Sequence, residues 1–131
     1  MFLDHIQYFT TKQINTGEIS MFFKMNKITD EKLNKYFDVT NRALNKVKIS
    51  SDKIDLDWKK TAEDFFDMAK RYFDDAKIFK EKGDVVTAFA ALNYAHGWLD
   101  AGARIGLFDV GADNELFTVD KELVEELKKN K

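Results

Sequence analysis

The chain has neither cysteine nor proline among its 131 residues, and only six glycines. Without cysteine there is no disulfide framework, thiolate zinc site, iron–sulfur cluster or cysteine nucleophile, and the composition suits a reducing, cytoplasmic compartment. Without proline the helices can run long, and the few glycines become the main punctuation. Charge of one sign is lacking too. Lys and Arg number 21 against 23 Asp and Glu, so the electropositive field that phosphate-backbone binding draws on is missing, which argues against nucleic acid as a partner. There is also no long uncharged apolar run. The least charged stretch, residues 85–108, carries Asp100 and Arg104, each costing about 2.5–3.5 kcal/mol at a bilayer centre. It reads as a core helix and not as a membrane span. The apolar opening Met1-Phe2-Leu3 is broken by Asp4 and His5, with no charged n-region or small-residue cleavage site behind it, so no export signal is expected.

What is present is a hydrophobic content of 44% beside a charged content of 34%, enough for one core with charged outer faces. The expected organisation is an extension over residues 1–28 followed by one helical-bundle domain over 29–131. The extension is apolar, with Phe2, Ile6, Phe9, Ile19 and Phe22 among others, but keeps neither the helical nor the strand period. Asn15-Thr16-Gly17 within it offers a hairpin turn.

Thr29 is a good N-cap, with Asp30 and Glu31 beside the positive end of a helix dipole. The helix it opens carries an apolar stripe of Leu33, Phe37, Thr40, Leu44 and Val47, and Ser50-Ser51-Asp52 is expected to end it. The second helix has the strongest period in the chain. Trp58, Ala62, Phe65, Ala69, Tyr72, Ala76 and Phe79 alternate at spacings of four and three, and Phe66 and Phe73 widen the stripe. Alternation of rings and alanines lets one helix lay rings over a neighbour's alanines. Gly83 and Asp84 supply a C-terminal glycine and an N-cap back to back, so the third helix must fold straight back on the second. That third helix is apolar around most of its circumference and rich in Ala and Gly. Glycine inside a helix costs about 1 kcal/mol relative to alanine, so Gly97 and Gly102 each predict a close neighbour. A loop through Gly111 and Asn114 leads to a short helix capped by Thr118, with Val119, Leu123, Val124 and Leu127 turned inward. The fold class is therefore all-α: an up-and-down three-helix bundle over about 29–48, 55–82 and 84–106, with a short C-terminal helix over about 119–129.

One constellation invites chemistry. Asn93, His96, Asp100 and Arg104 recur at spacings of three and four on the third helix, so they line one polar stripe of an otherwise apolar rod. Facing a cleft, the stripe is a candidate for binding an anion or small polar ligand. Facing solvent, or with Asp100 and Arg104 paired to tie the helix to another segment, it is structural. The acids of the second helix, Glu63, Asp64, Asp67, Asp74 and Asp75, are interleaved with Lys59, Lys60, Lys70, Arg71 and Lys77. Pairs such as Asp67 with Arg71 and Lys70 with Asp74 mark a solvated face and not a metal centre. Di-iron bundles need Glu-x-x-His on two helices, whereas Asn93 stands three residues before His96. Lys32, Lys35, Arg42 and Lys46 form a basic stripe on the first helix, expected to face acids or water. No phosphate loop, dinucleotide fingerprint or nucleophile elbow occurs. No catalytic residue, cofactor or metal is assigned, and the balance is against an enzyme.

The run from Ala88-Phe89-Ala90-Ala91 through Asn93-Tyr94-Ala95-His96-Gly97-Trp98-Leu99-Asp100-Ala101-Gly102-Ala103-Arg104 to Leu107 resembles an archaeal family known as domain of unknown function 357. Tyr72-Phe73-Asp74-Asp75-Ala76, Lys82-Gly83-Asp84 and Ile28-Thr29-Asp30-Glu31-Lys32-Leu33 are similar to it as well. The resemblance covers about 28–107. It implies an archaeal cytosolic protein with a left-handed three-helix bundle, and it brings no activity. The function expected is an uncharacterised interaction or accessory module, with a homo-oligomer or another protein as partner. The alternative is a small-ligand or nucleotide-binding domain using Asn93, His96, Asp100 and Arg104.

Overall fold

The computed structural model describes residues 26–50, 52 and 54–129. The extension's hairpin turn lies outside the described residues, as does the inward placement of Val124 and Leu127. The fold is all-α, with no strand among the described residues. In chain order the helices are α1 (Asp30–Lys46), α2 (Trp58–Glu81), α3 (Val85–Arg104) and α4 (Lys121–Lys129).

Each helix start follows from an oxygen that satisfies an otherwise unpaired N–H. Thr29 accepts from the Lys32 N–H at 3.2 Å, Asp57 from Lys60 at 3.0 Å and Asp84 from Thr87 at 3.0 Å. Asp57 thus starts α2 at Trp58, where the apolar pattern begins and slightly later than the expected 55. The cap of α4 is Asp120, which accepts from Glu122 and Leu123, and not the expected Thr118; the Thr118 N–H donates to Asp100.

The α2–α3 hairpin carries the core. Gly83 closes α2 at φ 78°, with the Asp84 N–H donating to the Phe79 carbonyl and Gly83 to Lys80. This double bond pattern satisfies the last carbonyls and turns the chain within two residues. Asp84 then caps α3, so the two helices lie antiparallel and in contact along their length. Ala69, Tyr72, Ala76 and Phe79 of α2 are buried against Ala88, Ala91 and Ala95 of α3. Rings over alanines is the packing that the two patterns predict. Burial of each large ring stabilises by about 1.5–3 kcal/mol. Tyr72 meets Tyr94 edge-on at 4.5 Å between centroids, and Phe65 meets Trp98 at 4.9 Å, pairs worth about 0.5–1.5 kcal/mol beyond their area.

Helix α1 joins this core by a different face from the one its pattern suggests. Lys32, Tyr36 and Val39 are half-buried, and Tyr36 packs against the hairpin cluster beside Met68, Tyr94 and Trp98. The expected stripe is exposed, with Phe37 at 69%, Leu44 at 71% and Val47 at 74%. The physical reason is that α1 has a broad apolar arc, and Tyr36 lies at its edge. A phenol can reach an aromatic cluster with its ring while keeping its hydroxyl near the rim. That contact rotates the centre of the arc away from the hairpin, and burial raises the Tyr36 hydroxyl pKa above 10.0.

The two α3 glycines differ. A Cβ on Gly102 would overlap the Phe108 ring, whereas one on Gly97 would meet nothing within 4 Å. The close neighbour expected at Gly97 is absent, because that position faces outward on the exposed side of the rod. Gly106, at φ 79°, ends α3 in the same manner as Gly83 ends α2, with the Leu107 N–H on the Gly102 carbonyl at 2.8 Å. Among the described residues no helix is long and apolar enough to cross a membrane.

Candidate functional site

The hairpin has two faces. The aromatic cluster of Phe65, Tyr72, Tyr94 and Trp98 occupies one, with Tyr36 of α1 against it. The other is an open groove of about 560 Å³. Its floor is the pair of buried alanines Ala69 and Ala95. Phe66 and Phe73 form the α2 wall, and Phe89, Leu92 and Leu99 form the α3 wall.

These walls come from the sequence in a simple way. A helix that touches one neighbour buries an arc near 100°, but the α2 rings at 65, 66, 72, 73 and 79 cover a wider one. The surplus falls outside the helix contact. Phe66 is 57% exposed, Phe73 48% and Phe89 68%. The signal was present in the breadth of the stripe, where Phe66 and Phe73 read as additional core.

The groove margin carries charged side chains along α2 and the polar Asn93 and His96 along α3. Lys70 lines it directly. Lys77 donates to Asp74 at 2.8 Å and lies 4.4 Å above the Phe73 ring centroid, an attraction of ammonium for ring face. The hydrogen bond from Lys77, followed by the charges of Lys77 and Lys70, holds the Asp74 carboxyl below its ordinary value. Asp74 therefore takes Lys77 as its contact partner, and Lys70 acts on it only at longer range. Asp67 pairs with Arg71 at 2.8 Å as its spacing implies, and Lys59 with Glu63 at 3.8 Å. On α1, Arg42 of the basic stripe pairs within its own helix, with Asp38 at 3.0 Å.

The polar stripe of α3 borders this groove. Asn93 and His96 line it, while Asp100 and Arg104 continue toward the end of the helix. Each of the first three has work within the chain. The Asn93 amide donates to the Phe89 carbonyl at 2.9 Å. Asp100 accepts the Thr118 N–H at 2.9 Å and lies 3.6 Å from His96 Nε2. The His96 ring stacks on Phe117 at 6.4 Å, nearly parallel. Asp100 and His96 thus pin the returning loop to α3 across 18 residues of chain. Arg104 is exposed in the last turn, where its charge suits the negative end of the helix dipole.

Comparison with curated proteins and with solved structures gives no match for this chain. A family model described as protein of unknown function (DUF357) matches residues 35–108, which hold the α2–α3 hairpin, the groove and the polar stripe. That match spans more than half of the chain, and the protein belongs to the DUF357 family.

Proposed function

We propose that this protein is a non-enzymatic helical interaction module that receives an α-helix in the α2–α3 groove. The observation that carries the reading is the groove itself: two antiparallel helices, an alanine floor, and five large apolar side chains as walls. Such a face on a hairpin is the seat of one more helix in a bundle. The α3 wall runs from Phe89 to Leu99, about 15 Å at the helical rise, which accommodates roughly three turns. Partner rings or leucines at i, i+3 and i+7 would lie over Ala69 and Ala95 in the helix-in-groove manner.

The lack of cysteine makes a direct test available. A Leu92→Cys variant, labelled with an environment-sensitive dye, is titrated with amphipathic helical peptides of several charge patterns and with the unlabelled chain. A saturable blue shift with at least one of them supports the reading. Emission that stays flat with every peptide and with the chain itself ends it.

The alternative, a small-ligand or nucleotide site at Asn93, His96, Asp100 and Arg104, has less behind it. The Asn93 Nδ2 is engaged with the Phe89 carbonyl and the Asp100 Oδ1 with the Thr118 N–H, and the adjoining walls are apolar. Thermal shift against a nucleotide and phosphometabolite panel tests it, and a specific response abolished by Arg104→Ala would favour it over helix docking.

A further inference from the structure

We infer that the helix pair filling the groove is the α2–α3 hairpin of a second copy of this chain, so that two hairpins close face to face into a four-helix dimer. The inference rests on the groove being a helix-docking site and names its occupant.

Three observations support a second copy. The first is shape. In a two-fold interface the same patch must supply both the projecting and the receiving surface. This patch does so, with Phe66, Phe73 and Phe89 as projections and the Ala69–Ala95 floor as the hollow. Rings from one protomer can lie on the alanines of the other, repeating across the interface the ring-on-alanine packing that holds α2 to α3.

The second is charge. Lys70, the charged side chain lining the groove, is flanked along α2 by pairs of both signs, Lys59 with Glu63 and Lys77 with Asp74, and the polar lining on α3 is Asn93 and His96. A self-facing surface with one sign would repel its copy. A margin of alternating sign does not, and offers no special reward to a strongly acidic or strongly basic partner.

The third is area. Phe66, Phe73, Phe89 and Leu92 are about half exposed or more. Taking about 200 Å² for a fully exposed aromatic residue, they leave on the order of 400 Å² of apolar surface open. A stable interface takes about 800 Å² from each partner, a little over half of it non-polar. The patch matches that requirement, and it falls within the roughly 300–600 Å² of the largest apolar patch on a monomer, a patch that is often functional.

Sedimentation velocity of the full chain over a dilution series tests the inference, with Phe89→Glu and Phe37→Glu as variants. Both positions are exposed, so helicity by circular dichroism should be unchanged in each. The expected result is a mass of twice 15.2 kDa at high concentration. Phe89→Glu should raise the dissociation constant by about thirtyfold or more, as loss of a large aromatic anchor and burial of an unpaired carboxylate do, and Phe37→Glu should leave it unchanged. A dimer disrupted by Phe37→Glu and indifferent to Phe89→Glu overturns the inference, because association would then run through α1. A monomer at every concentration also overturns it. In that case the Leu92→Cys dye separates the two levels: a response to a peptide keeps the docking function and removes only the second copy, and no response removes both. Protection of Leu92→Cys from alkylation in a monomer would mean that a segment of the same chain covers the groove, and also refutes the dimer.

Discussion

The same substitution, made five residues apart on one helix, should have opposite effects. Gly97 and Gly102 both lie inside α3, and alanine is preferred to glycine in a helix interior by about 0.8–1 kcal/mol. At Gly97 a Cβ meets nothing within 4 Å, so Gly97→Ala collects that gain in full and stabilises the protein by about 1 kcal/mol. At Gly102 a Cβ overlaps the Phe108 ring at its Cδ2, Cε2 and Cζ atoms. The ring is held from both sides of the sequence: the Leu107 and Phe108 N–H groups both donate to the Gly102 carbonyl, at 2.8 and 3.3 Å. Gly102→Ala therefore either pushes Phe108 out of its seat or bends the loop. Inserting a methyl group into a filled site costs about 1–3 kcal/mol, which exceeds the propensity gain. The expected net effect is a loss of about 1 kcal/mol, and the two variants should differ by about 2 kcal/mol. Urea unfolding followed by circular dichroism at 222 nm would measure it, with equal slopes confirming that only stability changed. Equal stabilisation by both variants would refute the reasoning, because it would show Phe108 free to leave Gly102 without loss.

Two other perturbations follow from the same geometry. Asp100→Ala removes the acceptor of the Thr118 N–H from a side chain only 28% exposed, so it should cost about 1–2 kcal/mol and raise hydrogen exchange at Thr118. A loss of 3–5 kcal/mol would instead mark a buried charge pair and contradict a loop-pinning role. Tyr36 should titrate above 10.0, because burial opposes its phenolate. Since the folded pKa is raised, its contribution to stability is complete below the unfolded pKa near 10 and is lost as pH rises through the folded value. A Tyr36→Phe variant should remove that part of the alkaline fall, and an identical pH profile would disprove it.

Much of the hairpin was legible because its signals are local. The 4-3 spacing names the buried face of α2 from Ala69 to Phe79, although Trp58 at the start of the stripe stays exposed, and Gly83-Asp84 names both the stop and the restart. The Thr29 cap is of the same kind. Where two local signals compete, sequence alone could not choose. Thr118 and Asp120 are both plausible caps, and it is Asp120 that takes the Glu122 and Leu123 N–H groups while the Thr118 N–H goes to Asp100, 18 residues away. Gly97 and Gly102 look alike until the loop returns Phe108 to one of them. Asn93, His96, Asp100 and Arg104 share one stripe of α3 by their spacing, but the use of Asp100 and His96 as the anchor of Thr118 and Phe117 depends on that same return.

Composition and period by themselves determined the all-α class, the helix order, the antiparallel pairing of α2 with α3 and the residues between them. These depend on backbone hydrogen bonding and burial, which act over a few turns. Tertiary structure alone decided how α1 is rotated and which rings remain outside. The apolar arcs of α1 and α2 are both wider than one neighbour can cover, and a choice among equivalent faces is made by whichever long-range contact forms. Tyr36 made that choice for α1, and the α2–α3 contact left Phe66, Phe73 and Phe89 as the walls of an open groove.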